Sequence, residues 1–413
     1  MTPMTPTRTV RLADLTDLVH APDTVGPRAR EVHARLRAEW GPVAPGELSP
    51  GVRVWFAMGY AEFSEVIRNE EVFSRNGDNW SAVQEGKILP DMPIYPFVTT
   101  RQNSFHNDGE LRRRLRSPVD RALSRVDEHG YAAQVRGICN DLVDDMLERG
   151  EADLVQDYAV LIPLLSVAAM FGMGQEVGDS MRKAAHKVLG GGQLAQEGVI
   201  ELAVEIVDHI AKRRREPQDD LTSHLIDDPG LWDDNEVMEA MIVMIIAGNE
   251  LTIATITQTL LLMLSDERFA GRLRGGRLDV DQAIEEVMWR DPPCYNITPR
   301  FALRDVELGG QLIRKGDAVV PCIAAANLDP VMTGDDPWLE IGNRAHMSWS
   351  AGPHACPAMR PGTIIVQAAV RTVLERLPEV TLAVPADRVE RNTDSLSYRY
   401  PTSMPVRFVR TLT

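Results

Sequence analysis

Positive charge is in deficit in this chain, and cysteine is scarce. Against 60 aspartates and glutamates stand 44 lysines and arginines, a formal charge of -16. Nucleic acids and anionic membranes are polyanions, so that balance argues against either as a partner. The four cysteines, Cys139, Cys294, Cys322 and Cys356, are scattered without a CxxC pair. A disulfide framework or a structural zinc site is therefore not expected. Long apolar runs are missing too. The most apolar stretch, Met238 to Leu264, is interrupted by Gly248, Asn249 and Glu250, whereas a membrane span needs about 18 apolar residues in a row. The opening residues, Met1 to Arg11, are polar and rich in Pro and Thr, unlike a secretory signal. A cytoplasmic, reduced protein is the expectation.

What is present is an ordinary globular composition. The 413 residues are 44% hydrophobic and 25% charged, enough to bury a large core. Helical periodicity dominates, over Ala29 to Glu39, Tyr60 to Arg68, Tyr131 to Arg149, Gly198 to Lys212, Asn235 to Ser265, Val280 to Arg290 and Thr363 to Arg376. Strand-like pieces are few: Val52 to Met58, Arg300 to Leu308, Ala318 to Ile323 and Pro405 to Val409. Two long irregular stretches, Asn76 to Asn107 and Leu328 to Ala355, exceed what compact domains carry without a functional reason. The pattern predicts a single domain over residues 1–413, mainly α with small peripheral β-sheets.

The strongest local signal is Trp349-Ser350-Ala351-Gly352-Pro353-His354-Ala355-Cys356, followed by an apolar helix from Thr363. Gly352 permits a tight turn and Pro353 stiffens it. Cys356 then lies just before a helix, where free backbone N–H groups stabilise a thiolate, and Trp349 would cover the loop and exclude water. A lone cysteine is otherwise an inert buried thiol.

This stretch resembles the haem-binding loop of cytochromes P450, which runs aromatic, x, x, Gly, x, basic, x, Cys. The resemblance extends over nearly the whole chain, to a soluble bacterial, actinobacterial type. It implies the cytochrome P450 fold and haem b (iron protoporphyrin IX), with Cys356 as the thiolate ligand that pushes electron density into the iron. Ala358 stands where the family usually has Gly. For the haem propionates, Asp108 to Arg116 matches helix C of the family, with Arg116 in the usual Arg position and Arg112 in place of His or Trp. Being four apart, the two share a helix face. Arg300 matches a strand arginine and His354 the loop residue. Alone, the arginine run reads equally well as a solvated face. Gly352 and Trp349 complete the haem-contacting set by this resemblance, together with Ala247.

Ala247-Gly248-Asn249-Glu250-Leu251-Thr252 falls in the middle of the longest apolar helix. Glycine there costs about 1 kcal/mol relative to alanine, and a buried unpaired carboxylate costs more. A kink with a neutralised Glu250 is the plain explanation. The resemblance implies the family's oxygen groove, where Gly248 opens the helix and an acid–alcohol pair delivers protons. Glu250 fits the acid, but Leu251 holds the alcohol's place. Thr252 is rotated about 100° further round the helix and is no direct substitute. A second departure lies in Glu285 to Pro293, where the family's helix K carries Glu-x-x-Arg. Glu286 matches the Glu and Trp289 the Arg, an exception known in the family's 157 group, which the segments Gly41 to Pro45 and Ala351 to His354 also resemble. Trp289 offers one N–H donor where arginine offers five.

By resemblance, the substrate pocket draws on Trp80, Met92, Ile94, Tyr95, Phe97, Val243, Ile246, Ala247, Asn296, Ile297, Thr298 and Tyr398. Together they describe an apolar, partly aromatic pocket with a few polar groups, suited to a neutral, aromatic secondary metabolite. Three functions follow. One is a monooxygenase. Another is an oxidase that couples aromatic natural products, such as cyclic dipeptides, through C–C or C–N bonds. The third is a non-catalytic haem protein that binds a partner. The expected length leaves no room for a reductase domain, so electrons from NAD(P)H are expected to arrive through a ferredoxin and its reductase, at a monomer.

Overall fold

A computed structural model describes residues 9–174, 192–274, 280–332, 343–377, 379–392 and 395–410. The chain divides into two compact units, each gathered from three stretches. One takes the residues up to Arg112, Met288–Cys356 and Asn392–Arg399, and the other takes Arg113–Val287, Pro357–Arg391 and the residues from Tyr400 onward.

The first unit is organised by a six-stranded sheet in the order Val19–His20, Val43–Ser49, Val52–Ala57, Ala318–Pro321, Arg300–Ala302, Phe73–Ser74. Side chains alternate across a strand, and Val52–Ala57 shows the consequence. Val54 and Phe56 enter one apolar cluster with Trp80, Phe301 and Val320, while Trp55 and Ala57 enter another with Val43, Phe73 and Val319. Both faces are covered, which is why the strand reads as a nearly continuous apolar run. Its partner Val43–Ser49 escaped sequence reading because Pro45 and Gly46 look like turn residues. Gly46 is there for packing: a Cβ would lie 2.1 Å from the Phe56 ring. The expected strand Arg300 to Leu308 divides in two. Val306–Leu308 turns back on Gln311–Ile313 through Gly309 and Gly310, both at positive φ, as a two-residue hairpin requires.

The second unit is helical, built on Glu128–Leu147, Leu161–Met170, Gly192–Arg215, Asp234–Ser265 and Met359–Arg376. A small sheet joins Glu151–Asp153, Pro405–Arg407 and Thr381–Leu382. Helix Asp234–Ser265 is capped by Asp233, whose carboxylate accepts the Glu236 N–H at 2.9 Å. It runs unbroken through Gly248. Among the described residues it is the one helix long and apolar enough to cross a membrane by length and composition. Its stretch Ile253–Leu261 is buried throughout, and the helix packs on Leu161–Met170 and Met359–Arg376. Leu161–Met170 was missed because a helix apolar on all sides has no periodicity to detect. The last long helix begins at Met359, four residues earlier than the expected Thr363.

Where the resemblance leads one to look for the helix K arginine, Trp289 is buried. Its indole N–H donates to the Asn343 carbonyl at 2.7 Å, and its ring meets His346 edge-on at 5.8 Å. Beside it the Met288 carbonyl accepts from Ser348 Oγ at 2.6 Å and Asn327 Nδ2 at 2.8 Å, and Asn327 Oδ1 accepts the Met347 N–H at 2.8 Å. The segment leading into the cysteine loop is thus fastened to the end of the helix without an arginine. Glu286 faces Arg268 at 3.6 Å. Trp289→Phe keeps the ring but removes the donor and is expected to cost about 1 kcal/mol in urea unfolding. Trp289→Arg is expected to cost more, because it buries a cation. A Trp289→Arg variant more stable than wild type would show that this end of the helix had lacked only its arginine.

Candidate functional site

The cysteine loop is a wound turn. Ser350 and Gly352 take positive φ, at 57° and 67°. The Ser350 N–H donates to the Met347 carbonyl at 2.8 Å, Ala355 N–H to Gly352 O at 3.1 Å and Cys356 N–H to Trp349 O at 3.0 Å. Glycine is required at 352 on two grounds. Its φ disfavours other residues, and a Cβ would lie 2.8 Å from the Ile67 carbonyl and 2.9 Å from the Arg68 Cα, so the loop nests on the end of helix Tyr60–Arg68. Cys356 is the one cysteine of the four that is not buried. Burial pushes the Cys139 thiol up to about 11 and the Cys294 thiol up to about 12, and raises that of Cys322 further.

Around this loop the first unit gathers cations, with Arg75 and Arg300 buried and Arg112 partly buried. Arg112 Nη1 donates to the Pro353 carbonyl at 2.8 Å, and its Nε lies 3.5 Å from Glu70. Arg300 is 3% exposed, and its Nη1 donates to the carbonyls of Thr298 and Pro299, at 3.2 and 3.5 Å. Burial pushes its guanidinium down to about 10. Arg75, which sequence reading passed over, is 1% exposed. His354 turns Nε2 to Asp108 Oδ1 at 3.3 Å, and burial lowers its imidazole to about 3, so it is neutral at pH 7. Asp108 also accepts from Ser74 Oγ at 2.6 Å and from the N–H groups of Arg75 and Asn76 at 2.7 and 3.2 Å. Burial alone would raise its carboxyl, but His354, Ser74 and the Arg75 N–H outweigh that and hold it below its usual range. Arg116 belongs to the second unit, where its Nε donates to Asp120 at 2.7 Å.

In the second unit, the middle of helix Asp234–Ser265 carries a further acid. Glu250 Oε2 accepts from the Tyr400 hydroxyl at 2.5 Å. The Leu251 carbonyl accepts from Thr255 Oγ1 at 2.7 Å, which commits that hydroxyl to the backbone. Leu251 and Thr252 are both partly buried.

No family model matches the chain. Individual relatives do. The chain is 30% identical over 320 residues to cytochrome P450-SU2 of Streptomyces griseolus, covering 74% of this chain and 79% of that one. It is 25% identical over 384 residues to the 2-hydroxy-5-methyl-1-naphthoate 7-hydroxylase of Streptomyces carzinostaticus, covering 89% and 93%. The fold matches the solved structure of CYP154C4 from Streptomyces sp. ATCC 11861 with a TM-score of 0.85 at 23% identity, over 97% of this chain and 100% of that one. The chain belongs to the cytochrome P450 family. Its residues fit the family's iron-bearing haem. One accessible thiol stands on a rigid turn, and the same unit buries Arg75 and Arg300, with Arg75 Nη2 buried and lacking a hydrogen-bond partner.

The substrate residues expected for this P450 divide by burial. Trp80 is 2% exposed and stacks on Phe301 at 5.3 Å, inside the core. Asn296 is 1% exposed, with its amide donating to Thr24 Oγ1 and the Leu396 carbonyl at 2.7 and 3.0 Å. Ile94 is buried in the same cluster as Trp80, and Met92, Tyr95 and Phe97 pack against it partly exposed. Val243, Ile297, Thr298 and Tyr398 are partly exposed, and Ile246 and Ala247 are exposed. Tyr400 was passed over in favour of Tyr398, two residues away, since nothing in sequence ties either to Glu250. The cysteine environments give a direct test. On the native holoprotein a maleimide is expected to leave Cys139, Cys294 and Cys322 unlabelled until denaturant is added, and to reach Cys356 alone once haem is extracted, as read by peptide mass spectrometry. Labelling of Cys294 or Cys322 in the native protein would contradict their burial.

Proposed function

We propose that this P450 is a monooxygenase that inserts oxygen into a neutral, aromatic secondary metabolite, with Cys356 as the axial ligand of haem b. The observation that carries this is the lone accessible thiol on a glycine-wound turn, in the unit that also holds a buried Arg300 and partly buried Arg112 and His354. When bound, the haem supplies the iron at which dioxygen is activated, and a thiolate ligand favours O–O cleavage. Arg112 and Arg300 hold the haem carboxylates, and Arg112 also steadies the loop through the Pro353 carbonyl. By resemblance to helix C of the family, Arg116 is the further candidate for this role. One relative favours an aromatic substrate, the 2-hydroxy-5-methyl-1-naphthoate 7-hydroxylase. Electrons come from NAD(P)H by way of a separate ferredoxin and its reductase, to a monomer.

Proton handling departs from an acid beside a threonine. Leu251 offers no hydroxyl, and the Thr255 hydroxyl is held by the backbone. Tyr400 supplies the hydroxyl instead. Its Oη–H orients the Glu250 carboxylate through Oε2, and Glu250 passes protons at its other oxygen. Leu251 keeps the adjacent turn apolar and limits stray water.

Cys356→Ala is expected to abolish the strongly red-shifted Soret band of the reduced carbon monoxide complex, and a band that survives would sink the ligand assignment. With an aromatic natural product that shifts the wild-type spectrum, the product is expected to gain one oxygen. Loss of hydrogens with ring closure or dimerisation would instead identify an oxidative coupling enzyme. Tyr400→Phe is expected to raise peroxide released per product several-fold while haem content holds, and unchanged coupling would remove Tyr400 from proton delivery.

A further inference from the structure

Arg75 is held in a way that makes little sense for the protein by itself. The strand Phe73–Ser74 runs antiparallel to Arg300–Ala302, with Ser74 opposite Phe301. One step further along the same register, Arg75 stands opposite Arg300. Like charges directly opposite one another across strands are destabilising, and here both guanidinium groups are buried, at 1% and 3% exposure. Burial, followed by the charge of Arg300, pushes the Arg75 guanidinium well below its ordinary value. The side chain has a carbonyl and a ring for company. Nη1 donates to Phe97 O at 3.0 Å, the guanidinium lies 4.2 Å over the Phe105 ring, and Nη2 is buried with no hydrogen-bond partner.

The available carboxylates relieve this only in part: the charge of Asp108 favours both guanidinium cations, but burial outweighs it at each. Glu70 lies beside Arg112. Asp108 meets the Arg75 main chain rather than its guanidinium, and shares itself among Ser74, Asn76 and His354. Leaving a buried cation short of counter-charge is strongly destabilising, so two facing arginines are best explained by an anion that completes them. The anion has to be a carboxylate or similar forked acceptor, which guanidinium groups match with two parallel N–H bonds. Asp108 ties Arg75 to His354, two residues from Cys356.

We propose that Arg75 binds a haem carboxylate together with Arg300, and that Asp108 is the positioning residue that fixes the Arg75 backbone against the cysteine loop. The assignment rests on the haem-thiolate proposal above. It adds a cation from the loop after Phe73–Ser74 to those expected from helix C and from strand Arg300–Ala302.

The test uses purified holoenzyme as wild type, Arg75→Gln and Arg75→Lys. Haem transfer to excess apomyoglobin and the haem reduction potential are measured, with circular dichroism melting as the measure of folding. Losing one charge-assisted contact is expected to speed haem transfer about tenfold or more in Arg75→Gln. The potential is expected to move to more negative values, since a cation near the haem favours the reduced form. Arg75→Lys is expected to recover most of both. Wild-type transfer rate and potential in Arg75→Gln would overturn the proposal, as would a lysine variant no better than glutamine with both melting early, the pattern of a merely structural residue. If either variant fails to fold, the other decides by the same two readouts. The red-shifted carbon monoxide band of the wild type keeps the two proposals apart: its absence refutes the thiolate, and its presence with unaltered Arg75→Gln behaviour refutes Arg75 alone.

Discussion

The Asp108 carboxylate is the point on which the first unit's site depends. It collects the Ser74 hydroxyl, two consecutive main-chain N–H groups and the His354 imidazole. Three separate pieces of chain meet there: the end of strand Phe73–Ser74, the residue preceding helix Gly109–Leu123, and the cysteine loop. A buried carboxylate is tolerable only when its lone pairs are filled, and here the filling is what sets the register. Because the contacts are to main-chain N–H groups, the position of Arg75 is set by its backbone and does not rely on the flexible side chain. The helix that starts at Gly109 then brings Arg112 to the Pro353 carbonyl one turn later. The loop carrying Cys356 is therefore held at two successive residues, Pro353 and His354, by groups that sequence keeps four apart.

The other support of the loop shows how a motif can be lost while its task is kept. The family's helix K arginine fixes the segment before the cysteine through charge. Here the fixing is neutral and runs through main-chain carbonyls at Met288 and Asn343, with Asn327 bridging Met288 and Met347. Neutral hydrogen bonds each contribute about 1 kcal/mol and carry no large desolvation cost. Three or four of them around an aromatic ring substitute for a buried ion pair whose net contribution is small in any case. Trp289 follows from this, since one N–H and a large ring are what such a corner uses.

Sequence carried the architecture well where periodicity was clean. Tyr60–Arg68 and Val280–Arg290 coincide with the helices expected, and Asp234–Ser265 differs by one residue. It failed where packing overrode local chemistry. Val43–Ser49 contains Pro and Gly yet is a strand, because the Phe56 ring fills the space above Gly46. The cysteine loop was legible because a strained turn leaves a mark in residue type: Gly at 352, Pro at 353. Arg75 and Tyr400 left no such mark. Their partners, Asp108 and Glu250, are 33 and 150 residues away, and an arginine or tyrosine on its own says nothing about which distant group it meets. Asp108 reads from sequence only as the start of the helix C pattern, because a single acid ahead of an arginine run carries no sign of its distant partners.

Glu250 and Arg300 present the same problem from opposite signs. Each is an ionisable group on an otherwise apolar element, and local consistency would replace both with hydrocarbon. Natural chains break local rules at functional sites and compensate elsewhere. The compensation differs in kind. Glu250 has its donor within the protein, in Tyr400, so its cost is met whether or not anything is bound. Arg300 faces a second arginine, and the charge of Asp108 offsets the burial of the pair only in part. A site completed internally can stay formed during turnover, as proton delivery requires. A site left short of an anion would be completed by its ligand, and under the proposed haem assignment the affinity for that dianionic cofactor would add to the folded state's stability, by the linkage between binding and folding.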